Sequence, residues 1–140
     1  MLKNRFTQIL VALDGSANSR RGMNEAISLA GQSEGTITGV YVMPGLPPET
    51  AEGYRKYLSE RARKFMSDAK TNAGRHGIEF EEKVITSNDT VNAIANLAKT
   101  NKFGIIVIGA RGQSSPRSEY LGSVSNGVLH SCRIPILVVK

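Results

Sequence analysis

The sequence predicts an α/β domain: a single doubly wound sheet of five parallel strands with helices on both faces. Three observations carry this. The spacing of the apolar residues switches repeatedly between strand and helix periods, giving the order β-α-β-α-β-α-β-α-β. The run FGIIVIG at 103–109 is almost wholly apolar, which suits a strand covered on both faces, as in a parallel sheet. No linker, clear repeat or low-complexity segment interrupts the 140 residues, so 1–140 reads as one domain with one core. Strands alternating with helices in this way are parallel and joined by right-handed crossovers.

The elements follow in order. FTQILVAL (6–13) is a short β-rich run that ends in the turn Asp14-Gly15-Ser16. From Ser19 the period lengthens: Met23, Ala26, Ile27 and Ala30 fall on one helical face, and Gly31 and Gly35 close the segment. TITGVYVM (36–43) is the second strand, and the proline-rich 44–50 is a loop. A long amphipathic helix carries Tyr54, Leu58, Ala62, Phe65 and Ala69 on its apolar stripe. Arg55, Lys56, Arg61 and Lys64 fall between them and read as solvated basics; Gly74 and Gly77 mark its end. IEFEEKVIT (78–86) alternates apolar and charged residues, as a strand near a sheet edge does. SNDTVNAIANLAKTN opens with cap-type residues and continues as a helix through Val91, Ile94, Ala95 and Ala98. After the apolar fourth strand, Leu121, Val124, Val128 and Cys132 make a last helical stripe, and IPILVVK (134–140) is the final strand, expected at the sheet edge.

Composition narrows the function classes. Hydrophobic residues at 40% and charged residues at 21% are those of a globular protein. No apolar run approaches the ~20 residues of a membrane helix, and the first apolar run ends at Asp14 without a signal-type cleavage pattern, so the expected location is the cytoplasm. Cys132 is the only cysteine, which excludes an intrachain disulfide and a cysteine zinc cluster; it reads as a small buried hydrophobe. The net charge of +6, from 18 basic and 12 acidic residues, favours anionic partners. Nucleotides fit that balance; nucleic acid is not the expected partner.

The stretch GARGQSSPRSEYLGSVSNG (109–127), between the last two strands, is the candidate site. Backbone N–H groups at a helix start have no partner within the helix and carry partial positive charge, so they suit a phosphate. Glycine lets the anion approach, and it permits the φ > 0 geometry that turns successive amides towards one anion. Gly109, Gly112 and Gly122 supply this, and Ser123 adds a hydroxyl donor. The competing reading is that Gly109 and Gly112 merely shape a tight strand exit. The spacing, Gly-x2-Gly-x9-Gly-Ser, is neither a P-loop nor a nicotinamide fingerprint. If the first and fourth strands are neighbours, Asp14 faces the same crevice, at the carboxyl ends of the strands. There it could accept hydrogen bonds from a ribose or base, hold a cation, or simply close an Asx-type turn.

ILVALDGSANSRRGMNEAISLA and GARGQSSPRSEYLGSVSNGVLHSCRIPILVV resemble the opening and closing segments of the universal stress protein family, and the glycine spacing resembles the signature of its ATP-binding branch. The resemblance covers essentially the whole chain. It implies a Rossmann-like adenine-nucleotide-binding fold with strand order 3-2-1-4-5, usually a homodimer, paired in many members through the last strand. By position, Gly109, Gly112, Gly122, Ser123 and Val124 would hold phosphates and ribose. Asp14 and Val42 would lie at the adenosine end, Val42 through its backbone. Arg111, between the first two glycines, joins the nucleotide-binding set. The implied ligand is ATP with magnesium. The spacer QSSPRSEYL (113–121) is more polar than the hydrophobic spacers common in the family, and nothing functional carries over to the 43–53 loop.

Three functions are compatible with these residues. The favoured one is a nucleotide-binding regulatory protein whose bound state partners read. A slow ATPase or phosphotransferase would need a base, a water-positioning group and usually a metal. His76, at a helix end, and His130, on the last helix, read as surface or packed residues, and no nucleophile elbow or metal-ligand spacing is present. The third is a dimeric, chaperone-like stress module with vestigial nucleotide binding.

Overall fold

A computed structural model of the chain describes residues 5–112 and 121–140. Its elements are β1 (Gln8–Ala12), α1 (Ala17–Ser33), β2 (Thr36–Met43), α2 (Glu52–Arg75), β3 (Phe80–Thr86), α3 (Thr90–Thr100), β4 (Ile105–Gly109), α4 (Ser123–Ser131) and β5 (Ile136–Val139). The strands form one parallel sheet in the order β3-β2-β1-β4-β5. The apolar strands β1 and β4 lie inside the sheet, β1 at its centre. Ile9, Leu10, Val11, Ile106 and Val107 are wholly buried. The alternating strand β3 and the last strand β5 take the two edges, as their patterns predict.

Each face of the sheet has its own core. Ile9, Val11, Ile37 and Val107 pack against Met23, Ala26 and Ala30 of α1 and Ala62, Met66 and Ala73 of α2. Leu10, Val40, Ile106 and Ile108 pack against Ile94, Leu97 and Ala98 of α3 and Val128 of α4. The even and odd residues of a strand point to opposite faces, so one apolar strand supplies both cores. Among the described residues, no helix is long and apolar enough to cross a membrane.

Helix boundaries differ from the sequence expectation where capping decides them. Ser16 caps α1, its Oγ accepting from the Ser19 N–H at 3.1 Å, so the helix starts before Ser19. Gly31 lies inside α1, and the stop is Glu34 in a left-handed conformation, φ 56°. Gly74 likewise lies inside α2. The exposed His76 is its C-cap and Gly77, at φ 69°, turns the chain. Asp89 caps α3 through the Asn92 N–H at 3.0 Å. Cys132 is half-buried rather than buried: it follows α4 and packs at the margin of the α3–α4 core.

Candidate functional site

β1 and β4 are hydrogen-bonded neighbours, and the chain leaves them towards opposite faces: α1 covers one, α4 the other. This divergence is the switch point at which a doubly wound sheet opens a crevice beyond the carboxyl ends of its strands. The crevice here is a cleft of about 240 Å³. Asp14, Val42, Gly109, Arg111, Gly112, Gly122, Ser123 and Val124, the eight residues singled out from sequence, all line it. The spacer residues 113–120 lie outside the described residues.

Asp14 follows β1 and opens the turn into α1. Its Oδ1 accepts from the Ser16 N–H at 2.9 Å, so the Asx-turn reading is realised. The other oxygen, Oδ2, lies against Gly112: a Cβ at Gly112 would sit 2.5 Å from it. One carboxylate therefore shapes the turn and also meets the glycine loop. Val42 stands where β2 outruns β1. Leu13 donates its N–H to the Val40 carbonyl at 2.8 Å, while Ser87 donates to that of Met43. Alternation along the strand then directs the Val42 N–H and C=O to the side that β1 has vacated.

The glycines differ from expectation in mechanism. Among the described glycines, positive φ occurs at Gly15 (82°) and Gly77 (69°), not at Gly109, Gly112 or Gly122. Gly109 is a close-approach residue: a Cβ there would lie 2.8 Å from Asn18 Cβ and 3.0 Å from the Asn18 carbonyl carbon, because α1 crosses β4 at this point. The tight-strand-exit reading thus describes Gly109 in part. Gly122 is the N-cap of α4, at φ −66° and ψ 165°, and its own N–H donates to the Ala110 carbonyl at 2.7 Å. Ser125, buried, donates its hydroxyl to the same carbonyl at 2.8 Å and pins the first turn of α4 to the end of β4. The cradle's backbone donors are therefore the first-turn amides of Ser123, Val124 and Ser125, which have no acceptor within the helix.

The wall formed by Ala12, Val40, Val42, Ile94, Ile108 and Val124 is apolar; the opposite rim carries Asp14, Ser16, Ser19, Arg61 and Arg111. Tyr41, also lining the cleft, is buried. Burial pushes its hydroxyl pKa up, Arg61 draws it down and Asp14 raises it, so both charges act on one group beneath the cleft. Neither His76 nor His130 is among the lining residues. Sequence reasoning missed Arg61, Tyr41, Thr90 and Ser125. A signal for Arg61 existed: it falls three residues after Leu58 and seven after Tyr54, on the packed stripe of α2. The structure corrects two of the four basics read as solvated: Arg61 borders the cleft, and Arg55 donates to the Leu46 and Pro47 carbonyls of the preceding loop. Lys56 and Lys64 are exposed and paired one turn on with Glu60 and Asp68.

The fold and the cleft define a doubly wound α/β protein with a cleft at its central switch point. Residues 5–140 match the model of the Universal stress protein family, and the chain belongs to that family. Among curated relatives, it is 27% identical to Universal stress protein YxiE of Bacillus subtilis, over 96% of this chain and 99% of that protein. It is also 27% identical to Universal stress protein MJ0531 of Methanocaldococcus jannaschii, over 99% and 84%. Solved structures share the fold. Universal stress protein UspA of Lactobacillus plantarum superposes with a TM-score of 0.82 at 22% identity, covering 97% of this chain and 99% of that one. The universal stress protein of Archaeoglobus fulgidus, in complex with dAMP, gives 0.77 at 23% identity over 96% and 98%. A family member from Arabidopsis thaliana with AMP bound gives 0.72 at 18% identity over 96% and 91%.

Proposed function

We propose that the cleft binds an adenine nucleotide, ATP with magnesium, and that the protein is a regulatory stress-response component whose bound state partners read. The observation that carries this reading is the convergence on one cleft of a carboxylate, an apolar wall, a strand end with backbone groups turned inward, and the first turn of α4. Each part suits one part of the ligand. The apolar wall accommodates a purine face, and the Val42 N–H and C=O offer a donor and acceptor to its edge. The first-turn amides of α4 and the Ser123 hydroxyl suit phosphoryl oxygens. Asp14 suits a ribose hydroxyl or, with the phosphates, magnesium. The dAMP and AMP carried by the Archaeoglobus and Arabidopsis proteins support adenine over other bases.

Binding is favoured over catalysis, because neither histidine borders the cleft and Asp14 is the only carboxylate lining it among the described residues. The reading extends to a homodimer through β5 acting in the cytoplasm. Calorimetry with ATP, AMP and GTP, with and without magnesium, is the test. The expected result is ATP bound more tightly than GTP, with magnesium strengthening it, and no turnover of ATP in the same sample. Equal affinity for ATP and GTP, or for neither, overturns the assignment, and steady release of phosphate would make the protein an ATPase.

A further inference from the structure

Arg61 stands on α2, across the cleft from the first turn of α4. It is half-buried, and its guanidinium carbon lies 5.7 Å from the centroid of the Phe65 ring one turn on. Its Nη2 lies against Gly15: a Cβ there would be 2.6 Å from that nitrogen. Gly15 is also held at φ 82°, so the turn between β1 and α1 both requires glycine and leaves room for the guanidinium.

Other arginines of the same two helices are occupied. Arg20 donates to the Gly15 carbonyl at 2.9 Å, Arg21 to the Lys140 carbonyl and Asn18, and Arg55 to the Leu46 and Pro47 carbonyls. Arg61 has neither an oxygen acceptor nor a carboxylate partner among the described residues. A guanidinium presents five N–H donors in a planar fork. Leaving them without acceptors beside apolar surface is costly, and the most complementary acceptor is a planar or tetrahedral oxyanion. Phe65 lies within cation–π range of the guanidinium, and an aromatic ring leaves its N–H donors without an oxygen acceptor. Arg61 and the first-turn residues Ser123, Val124 and Ser125 of α4 line the same cleft, so one ligand can meet both walls.

We infer that Arg61 is a second phosphoryl-binding group of the cleft, gripping the anionic part of the ligand from the wall opposite α4. This rests on the nucleotide reading above and deepens it. The site then closes round the phosphates from two helices that cover opposite faces of the sheet. Its preference among adenine compounds rises with the number of phosphates. The influence of Arg61 on buried Tyr41 agrees with a guanidinium whose charge acts at the cleft.

The experiment compares ATP, AMP and adenosine binding to the unmodified protein, Arg61→Gln and Arg61→Lys by calorimetry, with circular dichroism on each. Removing the charge-assisted fork is expected to weaken ATP binding about tenfold or more in Arg61→Gln, with a smaller loss for AMP. Adenosine binding is expected to stay within about twofold of that of the unmodified protein, because it makes no such contact. Arg61→Lys, which keeps the charge but not the fork, should fall between. Adenosine weakened as much as ATP overturns the inference, since Arg61 would then shape the cleft rather than hold phosphate. Unmodified protein that binds ATP, with both variants binding it equally well, overturns the role of Arg61 alone. Unmodified protein that binds none of the three overturns the nucleotide reading and this inference together. Should Arg61→Gln fail to fold, Arg61→Lys decides: an ATP-specific loss supports the role, and unchanged ATP affinity overturns it.

Discussion

A methyl group at position 109 would meet the backbone of α1, not the flexible end of a side chain. Helix and strand would have to separate, so Gly109→Ala is expected to destabilise the fold by about 1–3 kcal/mol. Gly122 is different. Its φ of −66° and ψ of 165° are extended values open to any residue, and its place at the head of α4 is beside the proposed phosphate site. Gly122→Val is therefore expected to keep the fold and lose ATP binding. Thermal melts and calorimetry on the two variants separate these outcomes. An unfolded Gly122→Val, or a Gly109→Ala as stable as the parent, would reverse the assigned roles. The positions of the glycines were legible because a strand end and a helix start bracket them. Their reasons were not: which residue crosses β4, and which amide Ala110 consumes, are tertiary facts. Arg61 was missed for a related reason. A cation between apolar positions reads as solvated until the neighbouring turn is seen to leave space for it.

Among the elements, β5 shows how direction decides function along a strand. The Pro135 and Val139 carbonyls accept from Ile106 of β4 and from Ala110, which follows it, at 3.1 and 2.7 Å. By alternation, Leu137 also faces β4, while the N–H and C=O groups of Ile136 and Val138 point to the open edge. Proline at 138 removes an edge-facing donor and leaves the β4–β5 ladder intact; proline at 137 removes a ladder donor. Val138→Pro should thus lose only what pairing of the open edge contributes, and Leu137→Pro should lose about 1–3 kcal/mol more. Denaturant titration of both variants is the check, and equal losses would mean the strand is not held in this register. The order and type of the elements were legible from periodicity, because each apolar stripe had one consistent spacing. The ends of α1 and α2 were not, because Gly31 and Gly74 sit on open helix surface, where a missing side chain obstructs nothing.

At the scale of the whole molecule, the sheet has two edges and they are not alike. β3 presents Glu81, Glu82 and Lys83 along its length, and charged residues of this kind discourage pairing with another chain. β5 is Ile136-Leu137-Val138-Val139, without a charge. Ile136 and Val138 pack on the α3–α4 face and Val139 on the other, while Leu137 and the α4 residue Leu129 stay exposed. A second copy related by a two-fold axis could satisfy the edge-facing groups of Ile136 and Val138 strand to strand and cover Leu137 at the same time. The expected species in light scattering is a dimer at twice 15.1 kDa, and Val138→Pro should be monomeric. No residue of β5 lines the cleft, so the monomeric variant is expected to bind ATP with the affinity of the parent. A parent that stays monomeric at high micromolar concentration contradicts the edge-pairing argument. A monomeric Val138→Pro that no longer binds ATP would instead mean that the cleft depends on the partner chain.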